Sequence, residues 1–259
     1  MAIANPSQHG HHLKLAALLG IAGMLATMAL LPYLVALMPL KFTASRAPLR
    51  AVLSAQVAQA GLLCWLLGWL GLFLGAPHGM DAPWLRAWVY RQPRDPALPA
   101  RWSLAVTLGM LAGLVVAGIS LPGSPMHAHG MMASIDSAWR GALASLYGGI
   151  VEEVECRLLL VSLFVWLLAR LSRQQARPWM FIAAIMLAAL LFGAGHLPAA
   201  FAIGMAHTSL VIGRIVLLNA LVGLVTGTLF WKYGLEHAML AHFSADLVLH
   251  VALPLAGGF

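Results

Sequence analysis

The chain has 259 residues, 61% of them hydrophobic and only 9% charged, with a formal net charge of +7. Soluble domains carry about 25% charged residues, and a mean hydropathy of +0.88 excludes a water-soluble globule. The basic excess does not mark a nucleic-acid binder, because Lys and Arg are scattered at the ends of apolar runs.

Seven apolar segments follow one another at 15–38, 51–76, 103–121, 141–171, 179–197, 208–230 and 235–255. Each approaches or exceeds the ~20 residues that cross a ~30 Å hydrocarbon core as a helix. The runs are continuously apolar, whereas barrel strands would alternate. The expected fold is therefore all-α, a polytopic transmembrane helix bundle of seven spans. An eighth span arises if Tyr147-Gly148-Gly149 breaks the fourth segment.

The N-terminus, MAIANPSQHGHHLKL, places one lysine before an apolar run that extends past Pro32 to Pro39. A signal peptide has an apolar core of about 7–15 residues, so this is read as a retained first span. Cys64 and Cys156 both lie inside predicted spans and suggest no disulfide framework.

The stretch 77–102 mixes arginine with Trp84, Trp88, Tyr90 and Trp102. Such mixtures sit at headgroup level, so an interfacial loop is expected, with a substrate-docking surface as the alternative. In SPMHAHGMM (124–132), Met126, His127, His129 and Met131 form a set that a soft metal could use. The plainer reading is a solvated loop. With seven spans, Lys and Arg are in excess on the side of the N-terminus, which is expected to be cytoplasmic. With no repeat and no long linker, residues 1–139 (N-terminal helices and interfacial loop) and 140–259 (a second helix bundle) are read as one integrated membrane domain.

The informative residues are charged ones at membrane depth. Glu152, Glu153, Glu155, Glu236 and Asp246 fall in or at the edge of segments four and seven. Each costs roughly 2.5–3.5 kcal/mol at a helix centre on insertion scales, so they must face the bundle interior, find partners or line a wet cavity. Glu153 and Arg157 are four apart with the acid N-terminal, the favourable order for a helical ion pair. Glu152 lies about 100° round an α-helix and stays free of that pair. Glu155, three residues from Glu152, is expected either to share its cavity or to reach Arg214. His196 ends segment five, while His242 and Asp246 lie four apart in segment seven. A carboxylate and two imidazoles that converge in a cavity can deprotonate a water, or bind a metal that does so. A buried salt-bridge network is the structural alternative.

Glu152-Glu153-x-x-x-Arg157, Phe192-x-x-x-His196 and His242-x-x-x-Asp246 resemble, in order, the three signature motifs of the CAAX protease and bacteriocin-processing (CPBP, or Abi) family. The likeness covers about residues 140–250 and includes Asn219, Gly223, Gly227 and Tyr233-Gly234-Leu235-Glu236. It implies a multi-helical intramembrane endopeptidase. Glu152 would be the general base, His196 its assistant, Glu153 and Arg157 a supporting pair, and His242 with Asp246 the oxyanion-stabilising pair. The last position is most often asparagine in the family. Here Asp246 is expected to accept from His242 and keep that imidazole as the donor.

These residues imply a peptide hydrolase acting near the terminus of a membrane-embedded or lipidated protein or peptide, in a multi-pass cell membrane, with the short loops suggesting a bacterial inner membrane. No cofactor is expected. Glu152, His196 and His242 would suit zinc, but the HExxH spacing is missing. Competing readings are a catalytically idle immunity or scaffold member, a zinc-dependent protease, or a proton-relay transporter. The last would show inverted repeats, and the sequence has none. The partners are the substrate and the bilayer; the oligomeric state is not legible in the sequence.

Overall fold

The computed structural model describes residues 12–39, 47–93, 96, 98–120 and 131–257. All regular structure in these residues is helical. The helices are α1 (His12–Leu37), α2 (Leu49–Gly75), α3 (Pro83–Tyr90), α4 (Trp102–Ser120), α5 (Met131–Tyr147), α6 (Ser162–Leu171), α7 (Pro178–Gly195), α8 (Leu197–Ala202), α9 (Ser209–Tyr233) and α10 (Leu235–Leu247). The chain between α5 and α6 stays helical but winds as π-helix at Gly148–Glu152 and Val154–Val161, and α10 continues into a third π turn at Val248–Ala252.

Among the described residues, six helices are long and apolar enough to cross a membrane: His12–Leu37, Leu49–His78, Trp102–Ser120, Pro178–Ala202, Ser209–Tyr233 and Leu235–Leu255. The chain is a membrane protein. The expected fourth segment is not among the six, because its helical run from 131 to 171 holds Glu152, Glu153, Glu155 and Arg157 at its centre. Nor is the chain broken at Tyr147-Gly148-Gly149, where only the winding changes, from α to π.

Small residues let these helices approach closely, as they must where lipid supplies no hydrophobic drive for association. α4 lies on α10 and α7 on α9, and α1 packs along α2 and α5. A Cβ on Gly109 or Gly113 would strike the backbone of Ala241 or Ala245, and one on Gly193 would strike the Val216 carbonyl. The principal core cluster, including Leu15, Leu19, Leu72, Val154, Leu158 and Phe230, joins α1, α2 and the acid-bearing run. Cys64 and Cys156 are free thiols.

The segment expected to be an interfacial loop contains α3, and part of it is packed into protein. Trp102 stacks on His237 with ring centroids 4.1 Å apart, and Trp84 meets Trp102 edge-on at 4.7 Å. Trp88, 70% exposed, keeps the outward-facing role. Glu236 is occupied structurally: its Oε1 accepts the Leu85 N–H at 2.7 Å and satisfies an otherwise orphaned donor in the first turn of α3. Met126, His127 and His129 lie outside the described residues, as do residues 1–11.

Candidate active site

The π turns put two adjacent glutamates to different uses. Glu152 is half-buried and lines a cavity of about 880 Å³, whereas Glu153 is fully buried. Single π turns in helices recur at functional sites, and here the wider turn also separates Glu152 from Glu155. An i→i+5 winding takes more residues per turn, so three positions no longer return a side chain to the same face. Glu155 does not line the cavity, which corrects the expectation that it shares it with Glu152.

Glu153 is held from two sides. Its Oε1 lies 3.2 Å from Arg157 Nη1 on its own helical run and 2.7 Å from His242 Nδ1 on α10. The first contact is the ion pair the spacing predicts. The second joins residues 89 apart in sequence and could not be read from spacing. Arg157 is itself buried, with its guanidinium carbon 4.5 Å from the centroid of the Phe192 ring. Gly223 leaves the room for it, since a Cβ there would stand 3.2 Å from Arg157 Nη2.

His242 is thus oriented by Glu153, and not by Asp246 as the sequence suggests. A carboxylate only accepts, so Nδ1 is the donating nitrogen of that bond. Nε2 is left facing Glu152 Oε2 and Asp246 Oδ1, each 3.7 Å away. That distance is beyond direct hydrogen-bond reach. Asp246 sits four residues from His242 as expected, but the two share space in the cavity without a direct hydrogen bond. Gly148 permits the close approach: a Cβ there would collide with Asp246 Oδ2 and stand 3.2 Å from His242 Nε2.

His196 follows α7 and shares the cavity with Glu152, His242 and Asp246. Its Nδ1 is 2.9 Å from the Phe192 carbonyl oxygen. A carbonyl can only accept, so Nδ1 carries a proton and Nε2 is the nitrogen left for the cavity. Phe192 touches three members of the group, lying edge-on to His196 at 4.8 Å and to His242 at 5.5 Å besides facing Arg157. The motif spacing singles out Phe192; its role as a common packing surface is visible only in three dimensions.

With this geometry in place, comparison with known families adds one finding: residues 133–248 match the family described as Type II CAAX prenyl endopeptidase Rce1-like. The segment is similar to that family. The match contains every residue of the three motifs and agrees with the CPBP resemblance, and the matched family is one of proteases. No curated protein and no solved structure matches the chain.

Arg214 departs from its expected partner. Its Nη2 donates to the carbonyl oxygens of Ser120, at 2.6 Å, and Ile119, at 3.3 Å, at the C-terminus of α4. It therefore complements the negative end of a helix dipole and does not pair with Glu155. Among the described residues, no group of three His, Cys, Asp or Glu is disposed to hold a metal ion. The cavity is also lined by Tyr33, Tyr147 and Asn219; the Asn219 amide nitrogen donates to the Ile215 carbonyl at 2.8 Å.

Proposed function

We propose that the chain is an intramembrane endopeptidase that hydrolyses a membrane-embedded or lipidated protein or peptide near its terminus, with water activated by Glu152. The observation that carries this reading is the shared cavity of Glu152, His196, His242 and Asp246, backed by the buried Arg157–Glu153–His242 chain. Glu152 accepts a proton from a water that the acceptor nitrogen of His196 helps to orient. The water oxygen adds to the scissile carbonyl carbon, and negative charge moves to the carbonyl oxygen. His242, protonated on Nε2, donates to that oxyanion. Glu152 then returns its proton to the amide nitrogen, the C–N bond breaks, and a carboxylic acid and an amine leave, the acid passing its proton to the amine.

On this reading the run from 131 to 171 is a seventh span, its charges turned inward, where the cost of exposing them to lipid is avoided. The N-terminus is cytoplasmic and the membrane a bacterial inner membrane. The chemistry needs no metal. The test is the purified protein in liposomes with membrane-anchored peptides, products being read by mass spectrometry. Cleavage by the wild type that disappears in Glu152→Gln supports the reading. An idle scaffold would cleave nothing in either form.

A further inference from the structure

Asp246 needs a partner that the motif residues do not supply. Its Oδ1 stands 3.7 Å from His242 Nε2, and Glu152 Oε2 stands at the same distance from that nitrogen. Two carboxylates therefore face one imidazole nitrogen, and an ionised Asp246 would repel an oxyanion formed beside it. The side chains lining the cavity that can carry positive charge are His196, His242, His250 and Arg214. His242 is committed to Glu153, His196 is held by the Phe192 carbonyl, and Arg214 is tied to the end of α4. His250 remains. It lies four residues after Asp246, on the same face one turn further along, whereas His242 lies four residues before it. The charges that act on Asp246 are chiefly those of His242 and then His250, ahead of Glu152 and His196.

His250 is also fixed in place. It sits in the third π turn, and α5 packs on it through Gly141, where a Cβ would stand 2.8 Å from the His250 Cβ. Tyr33 of α1 meets its ring edge-on, with centroids 5.9 Å apart. Both rings also line a second cavity of about 500 Å³, together with Ser134 and Ser137 of α5. Tyr33 and His250 lie outside the matched residues 133–248, so the family motifs do not point to them. We infer that His250 is a positioning residue for Asp246. As an imidazolium it balances the carboxylate from the side away from His242, and His242 then donates to the oxyanion without an unopposed negative charge beside it. The pair acts across the cavity and not through a direct ion pair, and no bond forms or breaks at His250. This rests on the endopeptidase reading and adds to it the residue that makes an aspartate workable at this place.

The test is a double-mutant cycle on the full-length protein in liposomes with membrane-anchored peptides, with kcat, KM and a thermal melt for each variant. His250→Ala keeps the Cβ that meets Gly141, and His250→Phe keeps a ring against Tyr33; both remove the charge. In the wild-type background each should lower kcat roughly 10–100-fold and leave KM within a few-fold. That is the range for one unit charge ~6–10 Å away at an effective dielectric of ~20. His250→Lys, which keeps a positive charge, should retain more turnover than His250→Phe. In the Asp246→Asn background, where no carboxylate needs balancing, the same substitutions should change kcat by less than about twofold. Equal falls in both backgrounds would mark a packing role and overturn the inference, as would a loss of kcat that only follows a loss of Tm. Unchanged kcat in His250→Ala and His250→Phe overturns it and leaves the endopeptidase reading standing. Inactivity of Asp246→Asn alone also overturns it, since a carboxylate that the chemistry consumes is not one that His250 has to offset. Absence of cleavage by the wild type sinks both the inference and the reading beneath it.

Discussion

Glu153 Oε1 lies 2.7 Å from His242 Nδ1, although the two residues belong to different helices and only one of them faces the cavity. The contact makes a buried glutamate the positioning group for a histidine at the site. Glu153→Gln is therefore expected to lower kcat although Glu153 does not line the cavity, because a neutral amide no longer balances the charge of an imidazolium that carries a proton on both Nδ1 and Nε2. The check is the pH profile of kcat beside a thermal melt: a change in profile with an unchanged Tm marks positioning, and unchanged kcat excludes it.

Arg157→Ala leaves Glu153 buried with its charge less compensated. Removing one partner of a buried pair costs about 3–5 kcal/mol, so folded yield and Tm should both fall. Phe192 also loses the cation on its face. A variant that melts with the wild type would show that the 3.2 Å contact between Glu153 and Arg157 contributes nothing.

Glu152→Gln should fold normally, since the amide keeps the shape and polarity of a half-buried side chain. Hydrolysis should drop by about 10²–10⁴-fold, the span of general-base catalysis. Single-turnover assays on anchored peptides measure this directly, and full activity would exclude Glu152 as the base.

Gly148→Ala places a Cβ against Asp246 Oδ2 and 3.2 Å from His242 Nε2. The expected result is a loss of turnover larger than the loss of stability, because Asp246, an end group on a flexible side chain, can move aside but then leaves its place in the cavity. Asp246→Asn, by contrast, should keep activity at or above wild type, since an amide can donate to an oxyanion that an ionised carboxylate would repel. Inactivity of Asp246→Asn would show that the carboxylate itself is required.

A metal-free mechanism predicts that activity survives prolonged treatment with a strong chelator and that added zinc restores nothing to Asp246→Ala. Zinc rescue would transfer the water-activating role to a metal, with Asp246 behind its ligands, a position worth about 10–100-fold in metal affinity.

The sequence alone determined the membrane class, the near positions of six long apolar helices, the candidate residues and the Glu153–Arg157 pair. All of these depend on local periodicity, on segment length or on the cost of charge at membrane depth, which act within one helix. The tertiary structure decided what crosses between helices. His242 is held by Glu153 because α10 packs beside the π turns, and Arg214 serves α4 because the end of that helix lines the same cavity. The local reading failed at Glu155 for a related reason. An α-helical period of 3.6 assigns it the face of Glu152, but the π winding turns it away, and a winding adjusted by packing leaves no mark in the spacing of the residues.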